Sequence, residues 1–388
     1  MESTGTAQNR SRSGLLATVP LGMLVVASCA PKSSDTDTAN TEPLKSCWAH
    51  TWEKPNHWLE TVDSGQVSQQ MIEDFGAEPT NFHGVGLMGD PFVLYDQAMF
   101  RMWFSATAID SNGNEAQGIA YSESSDGSIW SDPKDAVTLV KLQITPKDSP
   151  WSINALETPS VVKVDDVYYL YFSGRYQDQA FKIGVATSAD GYTWAVHEQP
   201  VLEATLPWEL VQQETNGELF GGVLEPSVHY DRQTSIFYLW YSTFGVQENI
   251  FGGAIGFATS KDGMHWEKRK EPVFTPGAND SWDDALVGHV SVEKDPNGHY
   301  HMFYAGFPKG SSSPEGIGHA RSADGVNWTR NPSNPIVRTD ASWHTFLVGG
   351  PSSLILNGTI NLWYMGINSA EFSFVHFGRA TSSCTHEG

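Results

Sequence analysis

Four short stretches carry the side chains best suited to chemistry: Asp90-Pro91, Glu157-Thr158-Pro159, Glu225-Pro226 and Gly288-His289-Val290-Ser291. Two carboxyl groups flanking a glycosidic bond are the minimum equipment for hydrolysing it. One protonates the leaving oxygen; the other activates water or attacks the carbon. A third carboxyl nearby raises the pKa of the acid through like-charge repulsion. His289 suits a different task, holding a metal ion or a water. Each residue also has a plainer role. Asp-Pro and Glu-Pro are common turn dipeptides at strand starts, and a buried histidine often only completes a hydrogen-bond network.

What gives these residues weight is a repeat that puts them in equivalent places. Ser-x-Asp-Gly-x-x-Trp occurs four times, as Ser124 to Trp130, Ser188 to Trp194, Ser260 to Trp266 and Ser322 to Trp328. Asp-Gly between strand-like runs signals a hairpin, because Gly accepts a positive φ and Asp tolerates one. The Trp beyond the turn is expected to pack against the strand just left. Ahead of each hairpin lies an aromatic strand: Met102-Trp103-Phe104-Ser105, Leu170-Tyr171-Phe172-Ser173, Leu239-Trp240-Tyr241-Ser242, Met302-Phe303-Tyr304-Ala305 and, a fifth time, Leu362-Trp363-Tyr364-Met365. Ahead of each of these lies another strand, beginning at Pro91, Pro159, Pro226, Val290 and Pro351.

Each unit therefore reads as four antiparallel strands. Five such units make an all-β, five-bladed β-propeller. The fifth lacks its Asp-Gly turn, with Cys384 in its place, and lacks an outer strand. Cys47 to Trp52 is the expected donor, so that the two ends of the chain close the ring and leave no open edge. In a propeller the first strand of each blade lines the central channel. The residue before the first-strand Pro is then Asp90, Thr158 (with Glu157 beside it), Glu225, His289 and Gly350 in turn. Glu157 stands one residue out of register, which a regular strand would turn to the other face; a bulge would restore it. Trp151, Trp282 and Trp343 precede first strands, with Trp208 further off, and are expected to pack between blades.

Composition narrows the partners. The chain has 388 residues and a net charge of −22, with 23 basic against 45 acidic side chains. A nucleic-acid partner needs the opposite sign; a neutral ligand such as a carbohydrate fits, and the chain is expected to act as a monomer. At the N-terminus Arg10 and Arg12 precede an apolar run, Leu15 to Ala27, too short to span a bilayer comfortably. It ends in Val26-Ala27-Ser28-Cys29, which resembles a bacterial lipobox. The expectation is a signal peptide over 1–28, lipidation at Cys29, a flexible tether over 29–45 and the propeller over 46–388. That places an exported protein at the bacterial cell envelope, lipid-anchored in the outer membrane. Cys47 and Cys384 are then the remaining pair, expected to form a disulfide.

The five blades, the acidic residues on the first three and Gly-His-x-Ser on the fourth resemble the arabinanase, levansucrase and invertase superfamily, which includes glycoside hydrolase families 43, 32 and 68. The resemblance covers about residues 47–384. It implies Asp90 as base or nucleophile, Glu157 as pKa modulator, Glu225 as general acid and His289 as the residue near a channel calcium, with no other cofactor. The family 32 signatures are absent: the chain has Gly89-Asp90-Pro91-Phe92 and Leu224-Glu225-Pro226. The Glu-x-Pro pattern usual for the family 43 acid falls at Glu157, so either Glu fits that role. Two other readings stand beside a glycoside hydrolase. One is a mannoside phosphorylase-like enzyme, with Arg175 and His229 as phosphate ligands. The other is a non-catalytic carbohydrate-binding propeller.

Overall fold

A computed structural model describes residues 82–383, apart from the internal stretches 111–114, 131–141, 145–147, 153–154, 176–179, 213–218, 244, 248–249, 312, 340–343 and 368–374. Cys29, Cys47, Trp343 and Cys384 lie outside the described residues, as does the proposed donor strand Cys47 to Trp52.

The first blade comprises β1 (Phe82–Asp96), β2 (Met99–Asp110), β3 (Glu115–Ser124) and β4 (Leu142–Ile144), and the second β5 (Ala155–Val164), β6 (Val167–Arg175), β7 (Lys182–Ser188) and β8 (Ala195–Val196). A hairpin, β9 (Leu210–Gln212) and β10 (Leu219–Gly221), leads into the third blade: β11 (Leu224–Asp231), β12 (Ile236–Ser242), β15 (Ile255–Ser260) and β16 (Glu267–Lys268). A second hairpin, β13 (Gly245–Gln247) and β14 (Ile250–Gly252), interrupts it. The fourth blade holds β17 (Leu286–Lys294), β18 (Tyr300–Phe307), β19 (Gly316–Ser322) and β20 (Trp328–Arg330), with β21 (Val337–Arg338) pairing β19 as an extra strand. The fifth has β22 (Leu347–Leu356), β23 (Thr359–Ile367) and β24 (Val375–Ser383). The first strands touch in the closed order β1, β5, β11, β17, β22 and back to β1. The fold is the expected all-β, five-bladed propeller.

The repeat motif acts through its Ser and Asp. In each turn the Ser hydroxyl accepts the Gly N–H, at 2.8 Å for Gly127 and Gly191 and 2.9 Å for Gly263 and Gly325. The Asp carboxylate then accepts the next two N–H groups, as Asp126 does from Ser128 and Ile129. The glycines sit at φ 71–74°, where a Cβ is costly.

Each turn plugs into its neighbour. Trp103 Nε1 donates to Gly191 O, Trp240 Nε1 to Gly325 O, Trp363 Nε1 to Gly127 O, and the Tyr171 hydroxyl to Gly263 O. The Trp beyond the turn packs edge-on against that same aromatic of the preceding blade: Trp194 on Trp103, Trp266 on Tyr171, Trp328 on Trp240 and Trp130 on Trp363. This inter-blade contact adds to packing on the Trp's own blade: Trp266 also meets Phe237, and Trp328 pairs with Ser322 of the strand just left. Trp103, Trp240 and Trp363 are fully buried. At roughly 200 Å² each and about 25 cal/mol per Å², burial contributes on the order of 5 kcal/mol per side chain.

The Trp residues preceding first strands each meet a second-strand ring. Trp151 stacks on Phe172, Trp208 on Tyr241 and Trp282 on Tyr304, so each packs on the second strand of the blade it leads into. The glycines of the third strands leave room for these second-strand rings: a Cβ on Gly184 would stand 2.6 Å from Phe172, and one on Gly256 would stand 2.2 Å from Tyr241.

Candidate active site

The position before the first-strand Pro is a β-bulge in all five blades. The ladder register shifts between Gly89 and Phe92, Glu157 and Ser160, Leu224 and Ser227, Gly288 and Ser291, and Gly349 and Ser352. The bulged residues Asp90, Thr158, Glu225, His289 and Gly350 all have a left-handed backbone, with φ 50–61°. Four of them are not glycine, so each costs on the order of 1 kcal/mol or more. Strain repeated at one place in every blade is a feature of the site.

The bulges form a linked ring. Ser105 Oγ accepts the Thr158 N–H at 2.8 Å, and Ser173 Oγ accepts the Glu225 N–H at 2.7 Å. Glu225 Oε2 accepts the His289 N–H at 2.5 Å, and His289 Nδ1 accepts the Gly350 N–H at 3.1 Å. A Cβ on Gly350 would lie 3.5 Å from Asp90 Cα, which brings the fifth bulge back to the first. In each of these hydrogen bonds a side chain of one blade holds the bulged N–H of the next. Between the third, fourth and fifth blades, Glu225 and His289 themselves do this work.

One turn further along the first strands runs a second ring, of serines. Ser160 Oγ accepts the Val228 N–H, Ser227 Oγ the Val292 N–H, Ser291 Oγ the Ser353 N–H and Ser352 Oγ the Val93 N–H. Ser160, Ser227 and Ser352 follow a first-strand Pro and Ser291 follows Val290, while the first blade has Phe92 at this place. The repetition was visible in the sequence; the inter-blade role was not, because it depends on which strand lies alongside.

Asp90, Glu157 and Glu225 are all buried. Burial pushes the Glu225 carboxyl up to about 8, against hydrogen bonds from Ser242 and the His289 amide, and the charge of Glu157 pushes it further up. Glu157 and Glu225 are thus close enough to interact electrostatically. Oε1 of Glu225 is buried without a hydrogen-bond partner and stands 3.4 Å from His289 Nε2. Since Nδ1 accepts from Gly350, the proton of the neutral imidazole sits on Nε2, facing that oxygen. Burial lowers His289 to about 3, so it is neutral at physiological pH.

His289 Nδ1 is thus engaged by the Gly350 N–H, while Nε2 makes no hydrogen bond. Among the described residues no group of three His, Cys, Asp or Glu side chains is arranged to hold a metal ion. His229, expected as a phosphate ligand, lies four residues along β11 from Glu225. It is buried among Tyr238 and Tyr300 and lowered to about 4 by that burial, so it sits away from the bulges. Arg175 lies at the bulge end of β6, opposite Ala155.

No family model matches the chain. A solved glycoside hydrolase superposes with a TM-score of 0.59 at 16% identity, covering 83% of this chain and 96% of its own. A thermostable family-43 glycoside hydrolase gives 0.53 at 17% identity, over 78% and 91%. The chain has the five-bladed fold of the family-43 glycoside hydrolases. A GH43_1 enzyme from Xanthomonas citri complexed with xylotriose gives 0.52 at 15% identity, over 81% and 91%. At these identities the likeness is one of fold. In sequence, a 1,2-beta-oligomannan phosphorylase from Thermoanaerobacter sp. (strain X514) is 26% identical over 125 residues, which is 29% of this chain and 39% of that protein. The match thus spans less than half of the curated relative.

Proposed function

We propose that the chain cleaves glycosidic bonds in an oligo- or polysaccharide, with Asp90, Glu157 and Glu225 as its working carboxyls. The observation that carries this reading is Glu225, a fully buried carboxyl that stays protonated up to about pH 8. Its Oε2 is fixed by the His289 amide, while Oε1 has no hydrogen-bond partner. A carboxyl in that state is a proton donor at neutral pH. In the proposed reaction Glu225 gives its proton to the glycosidic oxygen as the bond to the anomeric carbon breaks. Asp90, at the equivalent bulge of the first blade, is the base that takes a proton from the attacking water, or the nucleophile that forms a glycosyl ester. Burial keeps the acid's pKa high, and the charge of Glu157 adds to that.

A second reading is phosphorolysis, in which inorganic phosphate replaces water as the acceptor; the sequence match to an oligomannan phosphorylase favours it. The test is a screen of chromogenic arabinosides, xylosides, fructosides and mannosides, with and without phosphate, against wild type and Asp90→Asn. Turnover that drops by orders of magnitude in Asp90→Asn supports the three-carboxyl site. Near wild-type turnover in that variant would leave a carbohydrate-binding propeller as the better description. As part of the same proposal, Cys29 carries the lipid that holds the protein at the outer membrane. Mass spectrometry finding residues 1–28 on the native protein would overturn it.

A further inference from the structure

The geometry points to an oxyanion subsite built on Arg175, at the bulge end of the blade that carries Glu157, and its meaning rests on the site proposed above. The other described arginines are largely accounted for within the protein. Arg101 pairs with Glu123, Arg232 with Asp165, Arg330 with Asp283 and Arg338 with Glu315, while Arg379 bonds Asn361 and the Asp126 carbonyl. Among the described residues Arg175 has no such partner. Its Nε is buried without a hydrogen bond, and its guanidinium lies 5.0 Å over the Phe181 ring. In a chain with 45 acidic side chains, a half-buried guanidinium with no carboxylate beside it is unusual. A cation taken out of water needs a compensating anion.

Its placement says where that anion would come from. Ser173 lies two residues earlier on β6, and its hydroxyl holds the Glu225 N–H and meets Thr158 Oγ1. Side chains two apart on a strand share a face, so Arg175 projects on the Ser173 side, about 7 Å further toward the bulge end. Phe181, beneath the guanidinium, is fastened to the segment that runs into Glu225. Its N–H donates to Gly221 O and its carbonyl accepts from Val223 N–H. Between them Gly222, at φ 109°, passes so close that a Cβ would stand 2.4 Å from Phe181 O. Arg175 is thus seated on the same backbone that presents the proposed acid.

A guanidinium binds carboxylates and phosphates through paired N–H donors. The ligand chemistry is an oxyanion, from one of two sources: the carboxylate of a uronic acid unit in the saccharide, or inorganic phosphate as acceptor. The test is equilibrium binding to the purified full chain, by calorimetry, of inorganic phosphate and of glucuronate, with glucose as the neutral control. Wild type, Arg175→Gln, Arg175→Lys and Glu225→Gln are compared. The expected result is that one anion binds wild type and loses at least tenfold in affinity in Arg175→Gln, with part of it recovered in Arg175→Lys and melting temperatures unchanged. Phosphate binding would mark phosphorolysis; glucuronate binding stronger than glucose would mark an acidic saccharide. Binding should survive in Glu225→Gln even where turnover is lost, which separates this subsite from the catalytic assignment. Failure of both anions to bind, or equal binding by Arg175→Gln, would overturn the proposal.

Discussion

Glu225→Gln tests the reading at its most specific point. The amide keeps the shape and still accepts the His289 N–H through its carbonyl, so the ring of bulges is preserved. The side chain no longer titrates. In the unfolded chain Glu225 ionises near its ordinary value of 4.5, whereas in the fold it holds its proton to about 8. Between those values the native state binds more protons than the unfolded one. Wild-type stability from this group is therefore complete below about pH 4.5, falls through the interval and levels off above about 8. At about 1.4 kcal/mol per pH unit, the loss is on the order of 5 kcal/mol. For a domain of this size that is about 10 °C in melting temperature. His289 and His229, held neutral by burial, change stability in the opposite direction below about pH 6.5, but equally in both proteins. The assay is the difference in melting temperature between Glu225→Gln and wild type at pH 5 and pH 9. The variant should gain several degrees on wild type between the two. Activity gives the second readout. Wild-type kcat should fall above about pH 8 as the acid ionises, and Glu225→Gln should lose roughly 10²–10⁴-fold with that basic limb gone. Parallel pH dependence of stability in the two proteins, together with unchanged turnover, would refute the assignment of a buried, protonated acid.

Other outcomes follow from the same contacts. His229, neutral in the fold down to about pH 4, contributes stability that is present above about pH 6.5 and lost as pH falls toward 4; His229→Gln should flatten that loss in acid melts. Trp363→Phe removes the donor to Gly127 O that ties the fifth blade to the first, at an expected cost of about 1–3 kcal/mol by chemical denaturation. Gly222→Ala must place a Cβ against the Phe181 carbonyl at a positive φ; it should destabilise by roughly 2 kcal/mol or more and weaken whatever depends on the Arg175 seat. Cys47 and Cys384 should be found as one disulfide by peptide mapping under non-reducing conditions, and two free thiols in the exported protein would argue against ring closure at that point.

The fold was legible because all five blades repeat the aromatic second strand and four repeat the Ser-x-Asp-Gly turn, both governed by nearest-neighbour chemistry. The candidate positions were legible for the same reason: Asp90, Glu225 and His289 stand at one place in the repeat. The conformation at that place was not. A left-handed backbone at Asp, Thr, Glu and His contradicts local propensity and is held by groups one blade away, some 50 to 60 residues distant, such as Ser105 on Thr158 and Ser173 on Glu225. The bulge considered for Glu157 alone is in fact general. The inter-blade partner of each turn's Trp was not legible for a similar reason, since it is an indole or phenol on the preceding blade. His229 looked close to the site by strand membership, and four residues of strand were enough to carry it away.

The one irregular seam supports the reading of the repeat. A second-strand side chain that can donate a hydrogen bond is present in the first, second, third and fifth blades, as Trp103, Tyr171, Trp240 and Trp363. Each donates to the Gly carbonyl of the next blade's Asp-Gly turn. The fourth blade has Phe303, which has no hydrogen to donate, and the fifth blade is the one whose sequence has no Asp-Gly turn to accept it. Donor and acceptor are missing together. An indole there would bury an N–H with no turn carbonyl to meet it, a cost of about 1–3 kcal/mol, so an apolar ring is the better fit. His301 and His319 occupy the places that Arg101 and Arg379 use in other blades to reach the neighbouring turn. They stack on each other, and His301 is also bonded to Asp295. Among the described residues, the fourth blade is thus the one whose second strand offers no such donor to its neighbour, in keeping with the turn sequence that the fifth blade lacks.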